Sequence, residues 1–475
     1  MNETIDIKSI VLLLLRRIWI LILAFLLCFI FTYCMFERPK VPVYSATAMM
    51  YVSNTSRENS SSPFSSSNQA NALALINTCS VIVKSNSAMA KIMDELDTID
   101  GTADGVYVSF GAPDTVHGKN DPRVAEIAYE ASRHNIHLVR CPVRHMGTEY
   151  SAVVLGNMYD ALCSYAGFEF IGSATADNIL VENGHAAGIS YVHAGKKEQA
   201  YASYVVAAPG GGGAQWLQDE GNRLNIGMSN NEVDIGVRVE VPNSIMDHLT
   251  KPLYEAKLVY YADTFENKVR TFCMNPGGLV SEEHYEGGIA VVNGHSYNDV
   301  SLRTENTNFA MLVSTHFTKP FGEPIRYGNY IAQLGNMLTG GGVMVQRLGD
   351  LLLGRRTDES RLAKSTTRPT LKTAVPGDLS FVLPHRHLTS IIEALRAFDK
   401  LAPGLYSRNT LLYGVEVKFY SSKVNVNERF ETAVPGLYAI GDGAGITRGL
   451  MQASVTGICV ARDIKNQVIK PCFQC

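Results

Sequence analysis

The 475-residue sequence lacks a run or stripe of one charge: 42 Lys and Arg are interspersed with 45 Asp and Glu, for a net charge of −3. Nothing in that pattern would track a phosphate backbone, so nucleic acid is not an expected partner. A disulfide framework is lacking too. The nine cysteines (Cys28, Cys34, Cys79, Cys141, Cys163, Cys273, Cys459, Cys472 and Cys475) are scattered through a long chain, which argues for a reducing compartment. Cys472 and Cys475 form one CxxC without a second ligand pair for zinc or a following helix for a thioredoxin-like site. The tail 466–475 is therefore read as frayed, and no metal site is expected.

Long apolar runs are also scarce, and the one present is at 18–36 (IWILILAFLLCFIFTYCMF). At about 1.5 Å per helical residue it matches the roughly 30 Å hydrocarbon core of a bilayer. Lys8, Arg16 and Arg17 precede it and hold the N-terminus in the cytoplasm, giving a single-pass membrane protein. A cleavable signal peptide would have a shorter apolar region and a small-x-small end, whereas this run ends in Phe36-Glu37-Arg38-Pro39.

Beyond it, 43–52 (VYSATAMMYV) has the β-branched and aromatic content of a strand. The Ser- and Asn-rich stretch 57–68 reads as a mobile loop. Apolar residues at near-helical spacing over 70–96, among them Leu73, Ile76, Ile82, Val83, Met89 and Met93, predict one or two helices. This serial order over residues 5–97 resembles the N-terminal region of the polysaccharide chain-length determinant (Wzz-like) family. The resemblance implies control of exported glycan length and partners in the polysaccharide-export machinery. Those proteins close with a second spanning helix, and no second apolar run of that length is present here.

Past Asp100 the sequence becomes a soluble α/β mixture. In the stretch 432–445 (TAVPGLYAIGDGAG) an apolar strand runs into Gly-Asp and a small-residue turn opening a helix. Small residues let backbone approach a ligand, a helix N-terminus favours an anion or an electron-rich ring edge, and an Asp holds ribityl or ribose hydroxyls. A strand-turn-helix packed for structural reasons alone is the competing reading. Residues 204–210 (YVVAAPG) form a second apolar strand ending in four glycines, 210–213, where no GxGxxG can be written because Gln215 stands in the last glycine's place.

The first stretch resembles the second FAD fingerprint of the glutathione-reductase-like flavoprotein superfamily, and the other its internal strand beneath the dinucleotide. That implies FAD contacts at Gly441, Asp442, Gly443, Ala444, Gly445, Thr447, Arg448 and Gly210, with Asp442 on the ribityl chain. Further blocks at 143–149 (VRHMGTE), 235–240 (IGVRVE), 269–278 (VRTFCMNPGG), 292–297 (VNGHSY), 412–419 (LYGVEVKF) and 445–450 (GITRGL) resemble a bacterial family of FAD-dependent dehydrogenase-like proteins from about Asp104 to Asp463. The implied fold is α/β with an α+β insert: an incomplete FAD-binding glutathione-reductase-like domain with a substrate or cap domain, preceded by one transmembrane helix. The corresponding domains are 1–97 (membrane-anchored), 98–103 (junction), 104–234 (partial FAD-binding), 235–410 (cap), 411–465 (C-terminal FAD-binding) and 466–475 (tail).

In flavoenzymes the cofactor performs the redox step, so few catalytic side chains are needed. His295 is a candidate proton-transfer group or a satisfied structural histidine. Cys273 is a candidate flavin partner or, lacking a resolving thiol nearby, a buried small hydrophobe. Arg270 and Arg448 are candidates to hold a substrate carboxylate or a phosphate, or are ordinary paired arginines.

A complete flavoprotein of this superfamily opens with strand, GxGxxG and helix, then an acidic residue about twenty positions on. None of this occurs before Asp104, which predicts weak FAD binding or none. Cytosolic-type flavoprotein sequence beyond a spanning helix also disagrees with its expected address. Three functions remain open: an FAD-dependent oxidoreductase acting on an unknown small molecule, a membrane-anchored regulator of polysaccharide export, and a non-functional chimeric reading frame.

Overall fold

The strand 233–242 (VDIGVRVEVP) alternates apolar and polar residues, a pattern that normally wets one face. Here both faces are buried. Ile235, Val237, Val239 and Val241 enter the main core, while Asp234, Arg238 and Glu240 are also fully inaccessible. This is the organising fact of the molecule.

The structure is a computed structural model, and it describes residues 80–83 and 103–469 apart from 166–167, 230, 286–287, 322 and 419–422. The chain divides into two compact units, Met1–Tyr44 and Ser45–Cys475, and all the described residues belong to the second. The expected spanning helix 18–36, strand 43–52, loop 57–68 and CxxC tail lie outside the described residues. Among the described residues no helix is long and apolar enough to cross a membrane.

Strands are numbered in chain order. The largest sheet has eight, in the order β16 (Val375–Pro376), β15 (Met344–Arg347), β17 (Leu411–Lys418), β9 (Val233–Pro242), β14 (Asn306–Thr315), β11 (Lys268–Asn275), β10 (Lys257–Tyr261) and β2 (His137–Val139). Every pairing is antiparallel except β15 with β16. One face packs on amphipathic helices, α2 (Arg123–Arg133), α5 (Asn243–Leu253), α6 (Pro324–Thr339) and α7 (His385–Phe398), whose apolar stripes join the main core. A hairpin, β12 (Leu279–Tyr285) and β13 (Ile289–His295), packs near β17, and Val280 and Val292 share a cluster with Leu411 and Tyr413. The polar side of β9 is thereby cut off from water and must satisfy itself internally.

Residues 411–418, expected in the C-terminal FAD-binding segment, are instead an inner strand of the large sheet, and 137–139 supplies its far edge. Strand β17 is buried along nearly its whole length, as suits an inner strand paired on both edges.

A smaller region contains the meander β4 (Ala174–Glu182), β5 (His185–His193) and β6 (Lys196–Tyr201), the parallel pair β7 (Val205–Ala207) and β19 (Leu437–Ala439), and the short pair β8 (Met228–Ser229) and β18 (Lys423–Val424). These pack with α4 (Ala214–Arg223) around Leu217, Ile226 and Leu437. Helix α1 (Ala103–Ser109) lies on α8 (Leu450–Ile469), with Tyr107 Oη 2.8 Å from Ser454 Oγ, and α3 (Gly147–Cys163) joins their cluster through Val154. Strand β1 (Ser80–Val83) pairs antiparallel with β3 (Phe168–Ile171). This corrects the helix expected across 70–96 at those four positions: Val81, Ile82 and Val83 are consecutive β-branched residues, which fit a strand better than a helix.

Candidate functional site

Strand β19 delivers the chain to Gly441 at φ 73°, a short 3-10 turn over Asp442–Ala444, and Gly445 at φ 69°. Gly443 sits so close to Pro209 and Gly210 that an added Cβ would lie 2.3 Å from the Gly210 carbonyl oxygen. Two segments picked out in the sequence, 204–210 and 441–445, thus meet backbone to backbone. Asp442 Oδ1 accepts a hydrogen bond from Thr447 Oγ1, and Asn231 Nδ2 donates to the Gly445 carbonyl at 3.1 Å. The helix does not open directly from the turn: α8 begins at Leu450, where the exposed Arg448 donates its backbone N–H to Gln452 Oε1 at 3.2 Å. Gly445 in the left-handed region ends the 3-10 turn and separates it from the helix.

These residues fit one half of a flavin dinucleotide. A backbone turn without intruding side chains, and a carboxylate whose Oδ2 makes no hydrogen bond among the described residues, suit a ribityl chain and ring edge. For the pyrophosphate half, the parallel pair β7 and β19 has no third strand among the described residues.

The second constellation is the buried face of β9. Arg238, fully inaccessible, donates from Nη1 to both Glu416 oxygens at 3.2 and 3.1 Å, from Nε to Asn308 Oδ1 at 2.8 Å, and from Nη2 to the Cys273 carbonyl at 2.8 Å. Lys418 Nζ lies 3.0 Å from Glu416 Oε1, an oxygen it shares with Arg238. Asn275 Nδ2 donates to Asn308 Oδ1 at 3.3 Å, and Asn275 Oδ1 accepts from Ser296 Oγ at 3.0 Å. Ser296 Oγ in turn accepts from Tyr254 Oη at 2.9 Å and lies 3.3 Å from His145 Nε2. The serine's single proton is committed to Asn275, so the His145 contact is satisfied with Nε2–H donating. Hydrogen bonds thus link Lys418 to His145 without a break, but the two amides carry no mobile proton. The chain fixes geometry; it does not conduct. Gly294 makes it possible, because a Cβ there would lie 2.2 Å from Asn308 Oδ1 and 2.5 Å from Arg238 Nε.

His145 stacks on Tyr254 with ring centroids 4.2 Å apart, and its pKa is lowered to about 3, first by burial and then by His117 and Arg303. The neighbouring Met146 packs with Met451 and Leu450 of α8, so this end of the polar chain abuts the helix that succeeds the 441–445 turn.

Other sequence candidates lie on or beside this polar face. His295 is buried at the end of β13, with its pKa lowered to about 4 by burial and the Arg238 cation, so it is neutral at physiological pH. Cys273 sits at a register break between Phe272 and Asn275 with φ 52°, and burial pushes its thiol up to about 11. Its backbone matters more than its sulfur: the carbonyl accepts from Arg238 and Asn275, and the N–H donates to Glu255 Oε1 at 3.1 Å. Arg270 pairs with Asp234 at 2.5 Å and stands 4.8 Å over the Phe272 ring. Glu416, Asn308 and Tyr254 are not legible as site residues in the sequence, since an Arg and a Glu 178 positions apart carry no local signal.

Comparison with known proteins divides the chain in two. Residues 232–419 match the family FAD-dependent protein, C-terminal domain-like. Residues 3–96 match the family Chain length determinant protein (Wzz). The matched segment covers seven of the eight strands of the large sheet, and the eighth, β2, lies outside it. An uncharacterized protein of Clostridium beijerinckii is 30% identical over 258 residues, covering 51% of this chain and 48% of that one. The chain therefore spans about half the length of that curated relative. Similar solved structures include pyridoxine 4-oxidase from Mesorbium loti (TM-score 0.33, 11% identity, 77% of this chain and 76% of that one) and an FAD-dependent oxidoreductase from Chaetomium thermophilum (TM-score 0.33, 11% identity, 75% and 73%).

Proposed function

We propose that the region 104–465 is an FAD-dependent oxidoreductase of a small molecule, holding the flavin by its ring and ribityl half. The observation that carries this reading is the seating of Gly443 on Gly210, which leaves a backbone turn with Asp442 beside it. FAD, when bound, supplies the two-electron acceptor. The chain's own part is to hold it through Gly441, Asp442, Gly443, Ala444, Gly445, Thr447 and Gly210, with Arg448 exposed at the edge of the turn. Arg270, paired with Asp234, is a positioning group in this reading, and His295 and Cys273 remain neutral walls. Because no third strand extends the β7 and β19 pair among the described residues, the grip on the pyrophosphate is weak and the enzyme is impaired. Reconstitution of the purified full chain with excess FAD, followed by desalting, tests it: retained flavin absorbance supports the reading, and colourless protein would sink it.

A second reading rests on the match of residues 3–96 to the chain length determinant family. In it the chain is a single-pass membrane protein that joins the polysaccharide-export machinery through its first hundred residues. Deleting residues 104–475 should then leave glycan length control intact, while deleting 1–97 abolishes it. The juxtaposition of two family matches also suits a chimeric reading frame, and an uninterrupted DNA read across codons 90–110 decides that.

A further inference from the structure

The chain leaves β15 through a short helix, Leu348–Leu351, and then turns at Gly354 with φ 60°. All of 352–356 (LLGRR) is exposed, Leu352 at 42% and Leu353 at 65%. A Cβ added to Gly354 would meet nothing, so the turn stands clear of the fold. A second tip lies beside it, the 3-10 turn Leu379–Phe381, where Leu379 is buried and Phe381 is 73% exposed. The side chain of Gln346 ties the two together. Its Nε2 donates to the Arg355 carbonyl at 2.9 Å, and its Oε1 accepts from the Leu379 N–H at 2.8 Å. The Thr357 N–H also donates to the Gly377 carbonyl at 3.0 Å. Large apolar side chains gathered in water at one place mark a surface that something covers.

The charges around the tips say what kind of surface fits. Arg355 pairs with the buried Asp350 at 2.9 Å, and Thr357 Oγ1 takes the other oxygen of that carboxylate at 2.9 Å. The Arg356 guanidinium donates to the Pro376 carbonyl at 3.2 Å. Arg408 is exposed alongside the short helix, where its carbonyl accepts from the Gly349 N–H at 3.1 Å. Neither Arg356 nor Arg408 has a carboxylate within ion-pair distance among the described residues. Across 352–372 six Lys and Arg face two acidic residues, and Arg361 takes up one of these, Asp358, at 3.1 Å. Protruding apolar tips flanked by arginines match a bilayer interface with anionic lipids: the apolar groups enter the acyl boundary while the guanidiniums stay at the phosphates.

We propose that this end of the large sheet docks on the surface of an anionic lipid bilayer, with Leu352, Leu353 and Phe381 entering the headgroup region and Arg356 and Arg408 on lipid phosphates. The docking requires neither bound flavin nor insertion of residues 18–36.

The test is quenching of tryptophan emission by brominated phosphatidylcholine in the full chain carrying Phe381→Trp, reconstituted with vesicles that also contain phosphatidylglycerol. The parent, with Trp19 and Trp216, sets the baseline. About half or more of the emission added by the substitution should be quenched, and little of it in vesicles without phosphatidylglycerol. Adding Leu353→Asp, or Arg356→Gln together with Arg408→Gln, should cut that quenching about fivefold. Thermal midpoints should be unchanged, because all four positions are exposed. Quenching no greater than the parent's, or of equal size without phosphatidylglycerol, overturns the proposal. So does emission that moves to shorter wavelength as protein concentration rises without vesicles, since a second copy would then be what covers the tips.

Discussion

Arg238 and Glu416 face each other on adjacent strands with neither side chain accessible to solvent, their charged atoms 3.1 and 3.2 Å apart. An ion pair so placed stabilises little in total, since desolvation offsets most of the attraction, yet losing one partner strands a charge in the interior. Glu416→Gln or Arg238→Met should therefore cost about 3–5 kcal/mol. The pair of changes made together should cost less than the larger single one. Urea denaturation of the four proteins measures this, and additive losses would refute the coupling.

A buried thiol held neutral does not alkylate. With its pKa pushed up to about 11 by burial, Cys273 should stay unmodified by a thiol reagent in the native protein, while the exposed Cys163 and Cys459 react. Peptide mapping after brief labelling decides it, and labelling of Cys273 as fast as Cys459 would reinstate it as a redox candidate.

Stability should fall with mild acid. His145, His295 and His387 have folded pKa values lowered to about 3, 4 and 4 by burial, against about 6.5 in an unfolded chain. Below pH about 6.5 the unfolded chain binds protons that the folded one refuses, so stabilisation present above that pH is lost as pH falls toward the folded values. Each histidine contributes up to about 1.4 kcal/mol per pH unit to the slope. Between pH about 7 and 5 the urea midpoint should drop, and His387→Gln should shallow the drop, because among the described residues His387 hydrogen-bonds through its ring only to Thr315, at 2.9 Å. A midpoint indifferent to pH over that range would contradict the burial assigned to all three.

Parts of the fold and site are legible in the sequence because their signals are local. A strand into Gly-Asp-Gly announces a turn, and the structure sets Gly443 on Gly210 as two such turns require. The mixed α/β character comes from the same patterns. What stays hidden is non-local. Alternation in 233–242 implies one wet face, and only segments distant in sequence bury Arg238 and Glu240, among them the hairpin residue Gly294 against Arg238. Glu240 is held by Asn306, Thr370 and Tyr413, a set no spacing rule connects. The expected helix at 80–83 fails for a local reason: near-helical apolar spacing over the longer stretch masks three consecutive β-branched residues.

Gly443→Ala isolates the cofactor turn from the rest of the fold. Its methyl would collide with the Gly210 carbonyl, pushing the 441–445 turn off the 204–210 segment without touching the large sheet. Flavin retention should be lost while the main unfolding transition moves by less than about 1 kcal/mol. Retained flavin in this variant would place the cofactor elsewhere.

The central claim, a flavin held by its ring and ribityl half, is tested most directly by equilibrium dialysis of the full chain against FAD and FMN in parallel. Both should bind, with dissociation constants within about threefold of each other, and Asp442→Ala should abolish both. Colourless protein at saturating flavin, or FAD held about a hundredfold more tightly than FMN, would contradict it.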